Sequence, residues 1–157
     1  LVSDVKKMLA VVRIRGNIGV RREFKDALKI LRLRDMNNCV VVPDNPSNRG
    51  MMKKVRNYVT FGEINFESFL AMLGKRGRVK GKRLDGNTVK ETGYDSVEQL
   101  AKEIFEGKAK LKKVDSLEPV FRLTPPSGGF KSTRTHYPKG DLGYRGDAIN
   151  DLIKRMI

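Results

Sequence analysis

Over the first seventy-five residues or so, the apolar spacing alternates between the period of a strand and the period of a helix. That alternation restricts the chain to strands packed with helices. Residues 9–15, LAVVRIR, read as a strand with Val12 and Ile14 turned inward and Arg13 and Arg15 outward. Residues 21–34 place Phe24, Ala27, Leu28 and Leu31 on one helical stripe. A second strand at 39–42 is stopped by Pro43, and the turn DNPS leads to Ser47 as the N-cap of a short helix bearing Met51, Met52 and Val55. Residues 58–64, YVTFGEI, form a third strand. Asn65 then caps a helix with Phe66, Phe69, Leu70 and Leu73 on its apolar face, which Gly74 ends. The order predicts a compact α/β unit with helices on a small sheet. Connections this short leave both parallel and antiparallel pairing open.

The second half differs in character. Residues 75–83, KRGRVKGKR, hold six cations in nine positions and no acid. A polar turn follows at Asp85-Gly86-Asn87. Ser96 and Gln99 then form a capping box for a helix carrying Val97, Leu100, Ala101, Ile104 and Phe105, closed by Gly107. Another basic run occupies 108–113, a short strand is expected at 120–123, and the chain ends in an amphipathic helix from about Asp147 with Ile149, Leu152, Ile153 and Met156 on one face. These pieces read as an extension, residues 78–157, docked on a core of residues 1–77 and not as a second independent domain.

Between that strand and the last helix lies PPSGGFKSTRTHYPKGDLGYRG, residues 125–146. Its five glycines and three prolines exclude a helix or a central strand. It has four Lys/Arg against one Asp and little aliphatic surface to bury, so it is expected to be mobile until bound. Phe130, Tyr137 and Tyr144 stand among Lys131, Arg134, Lys139 and Arg145. Aromatics stack on bases and cations neutralise phosphates, a combination suited to RNA.

Charge points the same way. The chain has 33 Lys+Arg against 18 Asp+Glu, a net charge of +15, which favours a polyanionic partner. An anionic membrane would need a basic amphipathic helix or a lipid anchor, and neither is evident. A hydrophobic content of 39% suffices for one modest core. The single cysteine, Cys39, sits in the apolar run CVVV and reads as a small core residue in a reducing, cytoplasmic compartment. With one histidine, His136, no His-based metal site can be built, and that residue is better suited to stacking on or hydrogen bonding to RNA. GGFKST at 128–133 lacks the order of a phosphate-binding loop, and RGNIG at 15–19 lacks the dinucleotide spacing. No catalytic constellation, cofactor site or small-molecule substrate is expected.

The residues expected to contact RNA are Arg13 and Arg15 on the first strand, and Arg49, Lys53, Lys54 and Arg56 around the second helix. To these are added Lys75, Arg76, Arg78, Lys80, Lys82 and Arg83, whose two intervening glycines let the backbone approach a ligand. The loop contributes Phe130, Lys131, Arg134, His136, Tyr137, Lys139, Tyr144 and Arg145.

VVRIRG at 11–16, ILRLRDMNNCVVVP at 30–43 and RGMMKKVRNYVTFGEI at 49–64 closely resemble the large-subunit ribosomal protein family L thirty, called L seven in eukaryotes. FRLTPPSGGFKSTRTHYPKGDLGYRG at 121–146 resembles the extension of its archaeal and eukaryotic members. The resemblance implies a three-stranded antiparallel sheet in β-α-β-α-β order with a ferredoxin-like layout. It also implies binding to large-subunit rRNA close to 5S rRNA, ribosomal-protein neighbours, and a structural role in assembly and translation without catalysis. The long basic N-terminal arm of eukaryotic members does not precede these motifs, which points to an archaeal member. Two other classes fit the residues: a free-standing RNA chaperone or assembly factor of the same fold, and an RNA-acting enzyme, for which no rigid acid, base or cofactor site is found.

Overall fold

The computed structural model describes residues 8–106 and 117–157; Gly107 and the basic run at 108–113 lie outside the described residues. The first half gives β1 (Met8–Arg13), α1 (Arg22–Ile30), β2 (Asn38–Pro43), α2 (Pro46–Lys54), β3 (Val59–Glu63) and α3 (Phe66–Arg76). A short hairpin follows, β4 (Arg78–Val79) with β5 (Lys82–Arg83), then a 3-10 turn at Val89–Thr92 and α4 (Val97–Phe105). The remainder comprises β6 (Val120–Arg122), β7 (Gly143–Tyr144), a 3-10 turn at Gly146–Ala148 and α5 (Ile149–Met156).

β1 is central and antiparallel to both neighbours, with Val11 opposite Val40 on one side and Phe61 on the other. This is the expected three-stranded antiparallel core in β-α-β-α-β order. The later segments enlarge it: β6 adds antiparallel to β2 and β7 adds parallel to β3, giving the order β6-β2-β1-β3-β7. Each addition satisfies backbone groups that an open sheet edge would leave unpaired.

Helices cover both faces. Leu9, Val11, Val40, Val42, Val59 and Phe61 pack with Ala27, Leu28, Leu31, Met52 and Val55 on the α1/α2 side. Ala10, Val12, Cys39 and Val41 pack with Phe69, Met72, Leu100, Ile104, Phe121, Ile149, Leu152 and Met156 on the α3/α4/α5 side. A strand covered on both faces reads as a continuous apolar run, and every residue of β1 is buried. The expectation of an outward-facing Arg13 is therefore wrong: only 1% of Arg13 is accessible, because the loops that follow β1 and α1 close over the end of that face and bond its guanidinium.

Several element boundaries also differ from those expected. Asn45, not Ser47, caps α2; its side chain accepts from the Asn48 N–H at 2.7 Å, and Pro46 occupies the first turn, where its missing N–H costs nothing. α3 runs through Gly74 to Arg76. The chain turns away at Gly77, where a Cβ would collide with the Leu73 carbonyl oxygen. α1 ends at Ile30, short of residue 34. Arg32 adopts φ 64°, and the Leu33 N–H returns to the Leu28 carbonyl at 2.9 Å, a Schellman-type stop made without the usual glycine. At the other end of the sheet a Cβ on Gly62 would meet the Gly146 carbonyl, so the missing side chain lets the start of α5 approach β3 closely.

Ser96 caps α4 by accepting from the Gln99 N–H, as the capping box anticipates. Cys39 is fully buried, and burial pushes its thiol up to about 12. At pH 8 its thiolate fraction should lie about a thousandfold below that of an ordinary exposed cysteine. A thiol-reactive chromophore should accordingly leave the native protein unlabelled for hours and label it stoichiometrically in denaturant. Rapid native labelling at pH 8 would contradict this burial.

Candidate nucleic-acid interface

The register of the sheet decides which loops share an end. β1 finishes at Arg13 opposite Val59, the first residue of β3; β2 begins at Asn38 opposite Arg122, the last residue of β6. β7 enters with Gly143 beside Thr60. The segments 14–21, 32–37, 55–58 and 123–142 therefore all leave from one end of the sheet. α5 delivers its C-terminus there too, since the Thr124 N–H donates to the Met156 carbonyl at 3.0 Å.

The basic run at 75–83 arrives at the same end in two parts. Lys75 and Arg76 close α3. Arg78–Arg83 fold back on themselves through Lys80 at φ 50° and Gly81 at φ 80°, the two positive-φ positions of a tight hairpin turn. Val79 and Leu84 are buried and anchor the hairpin, while Arg78, Lys80, Lys82 and Arg83 are exposed. Between α3, the hairpin and β6 lies an open concavity of about 460 Å³ lined by Lys75, Arg76, Gly77, Arg78, Gly81, Arg83, Arg122 and Ile157. Among the described residues five cations line it and no carboxylate side chain does. Sequence reasoning missed Arg122; the alternation of VFRL, followed through to the outward position, would have found it.

Among the described residues three acids lie near the hairpin, one held within its own turn and two in contact with the hairpin itself. Asp85 accepts from the Thr88 and Asn87 N–H groups, and those bonds, the one from Thr88 first, hold its carboxyl below the usual range. Glu118 accepts from the Gly81 N–H at 3.1 Å. Glu91 approaches Lys80 at 3.7 Å, but both side chains are largely exposed, so the pair holds little free energy.

The Pro/Gly-rich segment is divided. Lys131, Arg134, His136, Tyr137 and Lys139 are exposed, with His136 Nε2 2.9 Å from Asn57 Oδ1; Phe130 is half-buried and packs against the core. Residues 140–143 and Arg145 are buried. Asp141 accepts from the Lys131 and Ser132 N–H groups and pairs with Arg145 at 3.0 Å, both side chains about 95% buried. Arg145 also donates to Thr60 Oγ1 and to the Asp141 carbonyl, each at 2.8 Å, and its guanidinium lies 5.5 Å from the Tyr137 ring centre. The segment thus carries a docked part that its composition conceals.

Arg13 is likewise turned inward. It donates to the Arg15, Leu33 and Arg34 carbonyls at 2.7–2.8 Å and to Asn17 Oδ1 at 2.6 Å. Burial lowers its pKa, offset in part by Asp35. Arg15 remains exposed, its guanidinium 5.6 Å from the Tyr58 ring centre. Lys53, Lys54 and Arg56 are exposed as well.

Arg49 and Tyr144 are grouped away from these cations, toward the Glu63 end of β3. Arg49 holds Asp44 through both Nε and Nη2, lies 3.6 Å from Glu63, and is raised in pKa chiefly by the Asp44 hydrogen bond. The Tyr144 hydroxyl donates to Glu63 at 2.6 Å, which raises its pKa, and its ring packs on Phe61. Two acids balance this cluster.

Comparison with known proteins places these features in context. Residues 9–59 match the family model described as Ribosomal protein L30p/L7e. A protein of Archaeoglobus fulgidus named Large ribosomal subunit protein uL30 is 51% identical over 151 residues, covering 95% of this chain and 99% of its own length. Proteins of the same name from Methanococcus maripaludis and Methanopyrus kandleri are 47% and 44% identical, covering 94% and 92% of this chain and 98% and 100% of their own lengths.

Proposed function

The chain belongs to the ribosomal protein L30p/L7e family, and from that premise we propose that it is a structural, non-catalytic constituent of the large subunit of the cytoplasmic ribosome, binding large-subunit rRNA near 5S rRNA beside other ribosomal proteins. The concavity lined, among the described residues, by five cations and no carboxylate side chain is the observation that carries the RNA-binding part of this reading. A polyanion seated there meets Lys75, Arg76, Arg78, Arg83 and Arg122 while Gly77 and Gly81 keep the backbone low. Lys53, Lys54, Arg56 and Arg15, with the exposed loop residues Lys131, Arg134, His136, Tyr137 and Lys139, extend the basic surface. Arg13 and Arg145 support it from within. Proximity to 5S rRNA rests on the family resemblance. Residues 1–77 supply the core on which residues 78–157 dock.

Affinity for large-subunit rRNA should fall about a thousandfold or more between 50 and 200 mM salt, as expected for roughly six to ten phosphate contacts. Filter binding across that range measures it, and a nearly flat profile would overturn the electrostatic reading. Retention in large subunits after a high-salt wash separates a resident constituent from a free-standing assembly factor.

A further inference from the structure

Residues 131–142 form a closed loop with paired stems, although their composition suggests a mobile one. The Lys131 and Ser132 N–H groups donate to Asp141 Oδ2, and the Asp141 N–H returns to the Ser132 carbonyl at 3.0 Å. Further out, the Leu142 N–H donates to the Thr135 carbonyl at 3.2 Å and the Tyr137 N–H to the Leu142 carbonyl at 2.9 Å. The Gly140 N–H donates to the His136 carbonyl at 2.9 Å. Two glycines permit the closure. A Cβ on Gly140 would collide with Thr135, and one on Gly143, at φ 80°, would lie 2.8 Å from His136 Nδ1. Arg145 stands beneath the loop, where it bonds Asp141 and Thr60 while its guanidinium lies over the Tyr137 ring. Lys131, Arg134, Tyr137 and Lys139 stay exposed on the outside.

Stability does not by itself require charges at 141 and 145, because apolar residues of similar volume often replace a buried ion pair without loss. Presentation of the loop does require them. An apolar pair would leave the Lys131 and Ser132 N–H groups unmet and the Tyr137 ring without its cation. A loop that orders only on binding gives up part of its interaction free energy, whereas one already shaped keeps it.

We infer that Asp141 and Arg145 are positioning residues that hold residues 131–139 in a preformed shape, so that Lys131, Arg134 and Lys139 meet RNA phosphates without an ordering cost. The inference rests on the RNA-binding reading above and concerns how the loop is presented. Both positioning side chains are buried and neither touches a nucleotide.

The test uses the full chain, deproteinised large-subunit rRNA and the double variant Asp141→Leu, Arg145→Met, which keeps the three exposed cations. In the free parent, the amides of Lys131, Ser132, Tyr137 and Leu142 should exchange at least about tenfold more slowly than in the double variant. At equal folded fraction the double variant should bind the rRNA at least about tenfold more weakly, since ordering is then deferred to binding. Its slope of log K against log salt should match the parent, because the same phosphates are met once it is bound. A merely structural pair would change stability and leave the affinity of the folded chain alone. The triple variant Lys131→Gln, Arg134→Gln, Lys139→Gln should keep the slow exchange and make the salt slope shallower by roughly two to three. Exchange at the rate of unstructured chain across the loop of the free parent overturns the inference, and that measurement depends on no variant. So does parent-like rRNA affinity in the double variant, or a parent-like salt slope in the triple variant. Failure of the parent chain itself to bind rRNA would overturn the underlying functional reading as well.

Discussion

Replacing Asp141 with alanine should destabilise the protein by about 3–5 kcal/mol, the range for removing one partner of a buried ion pair. Its carboxylate accepts from the Lys131 and Ser132 N–H groups and from Arg145, and the substitution leaves that guanidinium buried without its counter-charge. Arg145 retains Thr60 Oγ1 and the Asp141 carbonyl, which limit the loss without restoring charge balance. Arg145→Met should cost less, because Asp141 keeps its two amide donors and the methionine fills much of the vacated space. The double variant Asp141→Leu, Arg145→Met should recover most of the stability, as apolar replacements of buried pairs often do. Urea unfolding of the four proteins measures the pattern. A loss below about 1 kcal/mol for Asp141→Ala would mean that this part of the loop does not dock in solution.

The other large effect is on affinity. Neutralising Lys75, Arg76, Arg78, Lys80, Lys82 and Arg83 together should lower rRNA affinity at 0.1 M salt by at least about a thousandfold and make the salt slope shallower by roughly four to five. Stability should move by no more than about 1 kcal/mol, since the hairpin is anchored by buried Val79 and Leu84 and its charges are exposed. Relief of mutual repulsion opposes what little is lost. Leu28→Ala should do the opposite. Its side chain is 1% accessible in the α1/α2 cluster, so about 2–5 kcal/mol should be lost while the folded fraction binds rRNA normally. Unfolding curves and binding isotherms on both variants test the crossed pattern. A neutralised hairpin that unfolds yet enters subunits normally would make those cations structural.

Much of the fold was legible because strands and helices announce themselves locally. The stripe Phe24, Ala27, Leu28, Leu31 and the apolar run at 39–42 depend on residues a few positions apart, and both became the elements expected of them. Boundaries were less legible where one residue could play two parts. DNPS offers Asn45 and Ser47 as caps, and the geometry of Pro46 selects the first. Arg32 ends α1 in a conformation that usually marks glycine, so no residue type flagged the stop. The basic run at 75–83 was visible as charge. Its hairpin was not, although the Lys80-Gly81 pair carries the turn.

The sequence alone determined that this chain is a strongly basic α/β protein, because charge, period and turn chemistry are properties of short segments that survive without knowing their neighbours. Tertiary structure decided which cations face solvent. Arg13 and Arg15 look equivalent in LAVVRIR, yet one is sealed beneath two loops and the other is exposed. Arg145 looks like its neighbours in the loop but is paired with Asp141 against Thr60, eighty-five positions away. Arg122 joins the hairpin only because β6 pairs with β2. Whether a charged side chain is buried depends on every segment that packs around it and on the hydrogen bonds that offset its desolvation, and those segments meet only when the chain has folded.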